Sequence, residues 1–109
     1  MFSDGHSFLV YPLKVVWILS EKRASMPPIQ IAFSVSKRNF KRAVKRNLIK
    51  RRMREAYRFN KERLLESLLI PEEKMLSVMI VYVGKEVIPF EKIFSSMQKA
   101  LDRLKSCAH

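Results

Sequence analysis

The chain has few of the residues from which protein active sites and phosphate-binding loops are built. Its 109 residues include two glycines, two histidines and one cysteine. The isolated glycines form no glycine-rich phosphate loop. The two aspartates, Asp4 and Asp102, and the two histidines, His6 and His109, lie near the chain ends, and no metal-ligand spacing or nucleophile–base pair is visible. Catalysis by the chain's own side chains is therefore not expected, nor is a metal or cofactor bound by the protein alone.

Long apolar runs and paired cysteines are also missing. No apolar run reaches the roughly 20 residues that span a bilayer, and the first 19 residues lack the basic start of a signal peptide. The lone Cys107 makes no intrachain disulfide, which fits a reducing compartment. Because 48% of the residues are apolar, a disordered basic tail is excluded. We expect a cytoplasmic protein without membrane association, with one domain over residues 1–109.

Positive charge is abundant and concentrated in one segment. The chain has 22 Lys and Arg against 10 Asp and Glu, a formal net charge of +12. Residues 37–63 contain 13 of the basic and two of the acidic residues, so this segment carries +11. A solvated helix face normally mixes both signs, and a membrane-surface helix would place Trp or Phe opposite the charge. The pattern instead favours a polyanion such as RNA as partner.

Hydrophobic periodicity predicts an α+β fold. Strands are predicted over three segments: 8–20, 29–36 and 76–83. Pro12 divides the first of them or marks a sheet edge. One helix should begin between Asn39 and Arg42 and run to about Asn60, with a continuation through Leu64, Leu65, Leu68 and Leu69 that packs before Pro71 stops it. A second helix should begin at about Phe90. We expect a small mixed sheet packed with helices as a two-layer sandwich, with the second and third strands parallel.

One side of the first predicted helix is apolar and the adjacent side is basic. The apolar positions form a buried stripe at helical spacing: Ile49, Met53, Ala56, Tyr57 and Leu64. The basic positions form a strip beside it: Arg46, Lys50, Arg54, Arg58 and Lys61, completed by Asn47 and Arg51. Like charges four residues apart destabilise a helix by roughly 0.2–0.5 kcal/mol per pair. Several such pairs in one helix indicate a ligand whose phosphates neutralise them.

The residues of this region match a known signature. SVSKR, a short gap and then AVKRNLIKRRMREAYR resemble the signature of the protein subunit of bacterial ribonuclease P. The matching positions are Ser34, Lys37, Arg38, Ala43, Arg46, Asn47, Lys50, Arg51, Arg54 and Glu55. The lead-in at residues 5–7, the strands at 12–17 and 78–83 and the last helix are also similar to the family. The resemblance therefore extends over most of the chain.

The resemblance implies a function and a set of site residues. In this family a large RNA performs magnesium-dependent hydrolysis and removes the 5′ leader of precursor tRNA, while the protein binds both RNAs. The implied RNA-binding residues are Lys37, Arg38, Arg42, Arg46, Asn47, Lys50, Arg51, Arg54 and Arg58. The implied leader cleft lies between the basic helix and the sheet. From the residues themselves, Ser34 and Ser36 belong to a small-residue face that leaves room for a single strand. Phe2, Phe8 and Tyr11 are candidate stacking groups there or, alternatively, core or edge residues. The family also implies a left-handed β-α-β crossover.

Two departures and two rival functions remain open at this point. Leu48 stands where the family usually has a third Arg, so that one RNA contact is lost or Arg52 and Lys45 replace it. The chain begins near the end of the family's first helix, so most of that helix is expected to be missing. The main alternative is a general RNA-binding or ribosome-associated protein with no role in cleavage. A DNA-binding helix-turn-helix is less favoured, because a strand and not a helix precedes the basic helix.

Overall fold

The computed structural model describes residues 6–21, 29–67 and 74–107, with the backbone alone at residues 63–67 and 105–107. The elements, in chain order, are β1 (His6–Val10), β2 (Leu13–Glu21), β3 (Ile29–Val35), α1 (Ala43–Ser67), β4 (Lys74–Tyr82) and α2 (Phe90–Cys107). Tyr11 and Pro12 form the turn between β1 and β2, so Pro12 divides the first predicted strand in two. The α+β class predicted from the sequence is confirmed.

The four strands form one mixed sheet in the order β1-β2-β4-β3. β2 is antiparallel to both of its neighbours, β1 and β4. β3 and β4 are parallel and joined through α1, as predicted. This order places β1 and β3 at opposite edges of the sheet, and that separation decides which of the candidate site residues can act together.

Both helices pack on the same face of the sheet. Alternate residues of β2 and β4 point into this layer, among them Leu13, Val15, Ile80 and Tyr82. They meet two helical stripes at a spacing of three or four residues: Ile49, Met53 and Ala56 from α1, and Ile93, Met97, Ala100 and Leu104 from α2. The buried stripe predicted for α1 is thus confirmed, with Tyr57 half-buried at its margin. The predicted packing of Leu64 and the leucines after it lies outside the described side chains.

The start of α1 differs from the prediction by one residue, whereas its far end agrees with the continuation predicted beyond Asn60. The helix begins at Ala43 because Phe40 is turned into the core, with only 5% of its surface exposed, and holds the preceding residues in a loop. At the other end α1 continues through Asn60 to Ser67. Asn60 is buried and its amide donates a hydrogen bond to the Ala56 carbonyl at 2.8 Å, so this polar residue is satisfied inside the helix instead of ending it.

The opposite face of the sheet is covered by neither α1 nor α2. On β3 this open face carries Gln30, Ala32 and Ser34, and on β4 it carries Ser77 and Met79, which pair in register with Gln30 and Ala32. These side chains are mostly small or polar. The sandwich therefore has one face that is closed by helices and one that has room for a ligand.

Candidate RNA-binding surface

The loop before α1 is fixed to the rest of the fold by one aromatic side chain and one amide. The Phe40 ring lies 5.9 Å from the buried Tyr82 ring, centroid to centroid. The Asn39 amide donates to the Val83 carbonyl at 3.4 Å. These contacts hold the loop against the end of β4 and expose its cations to solvent at the start of α1. The exposed cations are Lys37, Arg38, Lys41 and Arg42.

Arg46 connects the first turn of α1 to this loop. Its Nη1 donates to the Phe40 carbonyl at 2.7 Å and to the Lys41 carbonyl at 2.8 Å. Both are charge-assisted hydrogen bonds, which are stronger than those between neutral groups. Arg46 is half-buried, whereas most of its basic neighbours are exposed. This arginine therefore has a structural role that the sequence pattern did not reveal.

The remaining basic side chains of α1 cover one outward flank of the helix, which we call the basic face. Its members are Asn47, Lys50, Arg51, Arg54 and Arg58, all exposed except the half-buried Lys50. A shallow groove of about 600 Å³ runs along this flank, lined by Val44, Asn47, Leu48, Lys50, Arg51 and Arg54. The groove combines charged donors with two apolar side chains, of which Val44 is 78% exposed.

The electrostatics of the basic face are dominated by uncompensated positive charge. The first turn of α1 contains no acidic residue, so the positive end of the helix dipole adds to the charge of the nearby cations. Glu55 contacts Arg58 at 3.2 Å, but the Arg58 side chain is 70% exposed and that of Glu55 44%, so the solvent-screened pair contributes little. Within the described residues no ion pair reaches Lys50, Arg51 or Arg54. The face can attract an anionic ligand from a distance.

Arg52 lies on the other flank of α1. Its Nη1 donates to the Ile88 carbonyl at 2.8 Å, which connects α1 to the segment before α2. On the same flank the Phe59 ring is 6.3 Å from the Phe94 ring of α2. Arg52 therefore points away from the basic face, whereas Leu48 lines the groove along it.

The four candidate leader-cleft residues do not come together in one cleft. Phe8 is on the helix-facing side of β1, where it packs against the core. Tyr11 is in the β1–β2 turn and is 66% exposed. Ser34 is on the open face of β3, at the opposite edge of the sheet, and Ser36 follows at the end of that strand. Phe2 lies outside the described residues. The sequence could not place these residues because it does not give the order of the strands.

The open face next to Ser34 has a shallow depression. Its volume is about 350 Å³, and the residues that line it belong to two neighbouring strands. Gln30, Ala32, Ser77 and Met79 point into it, while Ile31 and Val78 between them point to the helix-facing side. β3 runs beneath α1, as the contact between the Phe33 and Tyr57 rings at 5.9 Å shows. The depression and the basic face therefore lie at the same edge of the molecule.

Two of the tyrosines have pKa values that are shifted by their surroundings. Burial raises the pKa of Tyr57 and of Tyr82 above the usual value for a phenol.

Within the described residues, no three His, Cys, Asp or Glu side chains are grouped as a metal site would require. None of the described helices is long and apolar enough to cross a membrane.

Known proteins resemble this chain in sequence and in fold. The model of the family Ribonuclease P matches residues 1–105. The ribonuclease P protein component of Porphyromonas gingivalis strain ATCC 33277 is 42% identical over 105 residues, which cover 95% of this chain and 74% of that protein. The ribonuclease P protein component of Chlorobium phaeobacteroides strain DSM 266 is 31% identical over 113 residues, which cover 96% of this chain and 77% of that protein. The structure of the Staphylococcus aureus RNase P protein aligns with a TM-score of 0.69 at 22% identity, covering 95% of this chain and 84% of that one. The resemblance found in the sequence is thus confirmed, and the chain belongs to the ribonuclease P protein family.

Proposed function

We propose that this chain is the RNA-binding protein subunit of ribonuclease P, acting in the cytoplasm. It binds the catalytic RNA and the 5′ leader of precursor tRNA, and so assists the RNA-catalysed, magnesium-dependent removal of the leader. The observation that supports this most is the basic face of α1, a continuous flank of one charge sign on a chain that matches the ribonuclease P family.

The basic face binds the catalytic RNA through its phosphates. Arg51, Arg54 and Arg58 each offer a planar guanidinium that can hold a phosphate in a bidentate manner, and Asn47 adds a neutral donor. The dipole of α1 favours a phosphate near its first turn. Lys37, Arg38 and Arg42 extend the cationic surface onto the loop before the helix. Arg46 contributes by holding that loop in place, and its other donors are available to the same RNA.

The leader is assigned to the open face at β3. A single strand needs a surface with room for its bases and a basic wall for its phosphates. The small side chains Ala32 and Ser34 leave that room. Ser36 follows at the end of β3 and is adjacent to Lys37, the first cation of the loop before α1. Phe8 and Tyr11 lie at the other edge of the sheet and are not assigned to this site.

Magnesium is assigned to the RNA subunit. The described acidic side chains do not form a group that fits a metal ion, and no step of the proposal passes through a metal held by the protein. What this chain contributes is charge and position: it neutralises phosphates and holds two RNA segments on neighbouring surfaces.

Salt dependence of RNA binding tests the basic face directly. The slope of log affinity against log salt is about −0.7 per phosphate neutralised for single strands and about −0.9 for duplexes. Because ribonuclease P RNA is folded, four or five engaged basic side chains give a slope of about −3 to −4.5. Lys50→Gln combined with Arg54→Gln should make the slope shallower by about 1.4 to 1.8. A slope near zero in the unmodified protein would contradict the assignment.

A second RNA separates this function from the general RNA-binding alternative. An unrelated structured RNA of the same length serves as the competitor in the same assay. Preference for ribonuclease P RNA supports the proposal, whereas equal affinity for both RNAs supports a general RNA-binding protein. Lys74→Gln is the control for loss of charge elsewhere: it removes one positive charge at the start of β4, away from the basic face, and should leave the salt slope unchanged.

A further inference from the structure

A second group of cations lies on α2 and is not used by the proposed function. Lys92, Lys99 and Arg103 are all exposed and, with Ser96, follow the spacing i, i+4, i+7 and i+11. At about 100° per residue these four positions fall within roughly 60° of one another on the helix. The first and last of them, Lys92 and Arg103, are about 16 Å apart along the helix axis, since the rise is about 1.5 Å per residue. We call this set the α2 stripe.

The α2 stripe faces away from α1. Phe94 contacts Phe59 of α1, and Ser96 is two residues further along, which corresponds to about 200° of helical rotation. Accordingly the Ser96 hydroxyl donates to the Tyr11 carbonyl at 3.1 Å, in the turn between β1 and β2. The stripe thus lies along the β1 edge of the molecule, and the helical layer has cations on both of its flanks.

Aromatic side chains accompany these cations. The Arg103 guanidinium lies over the Phe8 ring, with its central carbon 4.8 Å from the ring centroid. The same guanidinium donates to the Leu9 carbonyl at 3.5 Å. A guanidinium held in this way is a stacking surface for a base, and Arg planes and aromatic rings are the groups on which unpaired bases stack. Tyr11, with 66% of its surface exposed, carries a second ring, and its backbone carbonyl is the group that accepts from Ser96 of the stripe.

We propose that the α2 stripe, together with Phe8 and Tyr11, is a second surface for single-stranded RNA, separate from the basic face of α1. Lys92, Lys99 and Arg103 would bind phosphates, while Tyr11 and the Arg103–Phe8 stack would hold bases. Cations beside aromatic rings are the combination that binds single strands without sequence preference. This second site rests on the proposed function only in that RNA is the ligand of both faces.

The test uses the full chain with the basic face of α1 weakened by Lys50→Gln and Arg54→Gln. The probe is a fluorescein-labelled oligouridylate of about 12 nucleotides, within the range of known single-strand sites. In this background Tyr11→Ala should lower the affinity at least about fivefold, since a base stacked on a ring contributes substantially. Tyr11→Phe keeps the ring and should bind as the background protein does.

Charge variants separate phosphate binding from stacking. Lys99→Gln should make the salt slope shallower by about 0.7, the contribution of one phosphate. Lys74→Gln removes the same charge at the other end of β4 and should leave the slope unchanged. Lys74 is about 26 Å along that strand from Tyr82, which pairs with Leu13 next to the Tyr11 turn. Arg103→Lys should keep the slope but lower the affinity, because an ammonium group carries the charge without the planar surface.

Two further results decide between this surface and its alternatives. Inorganic polyphosphate, which has no bases, should respond to Lys99→Gln and not to Tyr11→Ala; an equal response to both would overturn the stacking role. Crosslinking of a 4-thiouridine-containing oligonucleotide should label the peptide that contains Phe8 and Tyr11. Crosslinks confined to α1, or unchanged affinity in all α2-stripe variants, would overturn the second site while leaving the α1 assignment standing. Undiminished binding of ribonuclease P RNA by the Lys50→Gln, Arg54→Gln protein would instead count against the α1 assignment alone.

Discussion

Replacement of Arg46 by alanine should lower both the stability of the domain and its affinity for RNA. The guanidinium donates to the Phe40 and Lys41 carbonyls at 2.7 and 2.8 Å and so fixes the loop before α1. Hydrogen bonds from charged donors contribute about 1.5–3 kcal/mol each when buried. Because Arg46 is only half-buried and uses one nitrogen for both bonds, we expect a loss of about 2 kcal/mol in the free energy of unfolding.

For a domain of this size, about 2 kcal/mol corresponds to a decrease of roughly 8 °C in Tm. Thermal unfolding can be followed by far-UV circular dichroism and by the fluorescence of Trp17, the single tryptophan. Arg54→Ala is the matched control: it removes an exposed arginine of the same helix and should change the stability by less than about 0.5 kcal/mol while still weakening RNA binding. If Arg46→Ala has the same Tm as the unmodified protein and binds RNA as Arg54→Ala does, the structural role assigned to Arg46 is contradicted.

Two further outcomes follow from burial. Met53→Asp places a charge where the side chain is 0% exposed and should lower Tm well below that of Arg54→Ala in the same scan; equal melting of the two variants would show that the register assigned to α1 is wrong. Stability should also fall as the pH rises above about 10, because the unfolded tyrosines then lose protons that Tyr57 and Tyr82, with their raised pKa values, retain. Tm measured between pH 9 and 11 checks this, and Tyr57→Phe should lessen the decrease; a Tm that is constant or increasing over this range would contradict it.

The features that the sequence predicted correctly depend on local periodicity. Ile49, Met53 and Ala56 follow the spacing of a helix, and Ile29 to Val35 alternate like a strand, so their buried sides could be assigned without knowing the partners. The parallel pairing of β3 and β4 followed from the crossover through α1. The basic flank of α1 could be located for the same reason, because its position relative to the buried stripe is fixed by the helical repeat.

The features that the sequence did not predict depend on contacts between distant residues. Phe40 delays the start of α1 because it packs on Tyr82, which is 42 positions further along the chain. Arg46 fits the pattern of a phosphate-binding residue, and only the geometry of the loop shows that it binds two backbone carbonyls. Phe8 and Ser34 were assigned to one cleft, but the strand order places them at opposite edges and on opposite faces of the sheet.

Cleavage of a precursor tRNA at low magnesium concentration tests the central proposal most directly. Three reactions are compared: the cognate ribonuclease P RNA alone, this protein alone, and the two together. We expect correct removal of the 5′ leader only in the third reaction, and a lower rate when Lys50 and Arg54 are both replaced by Gln, because the basic face then binds the catalytic RNA less well. Cleavage by the protein alone, or equal cleavage by the RNA with and without the protein, would contradict the proposal.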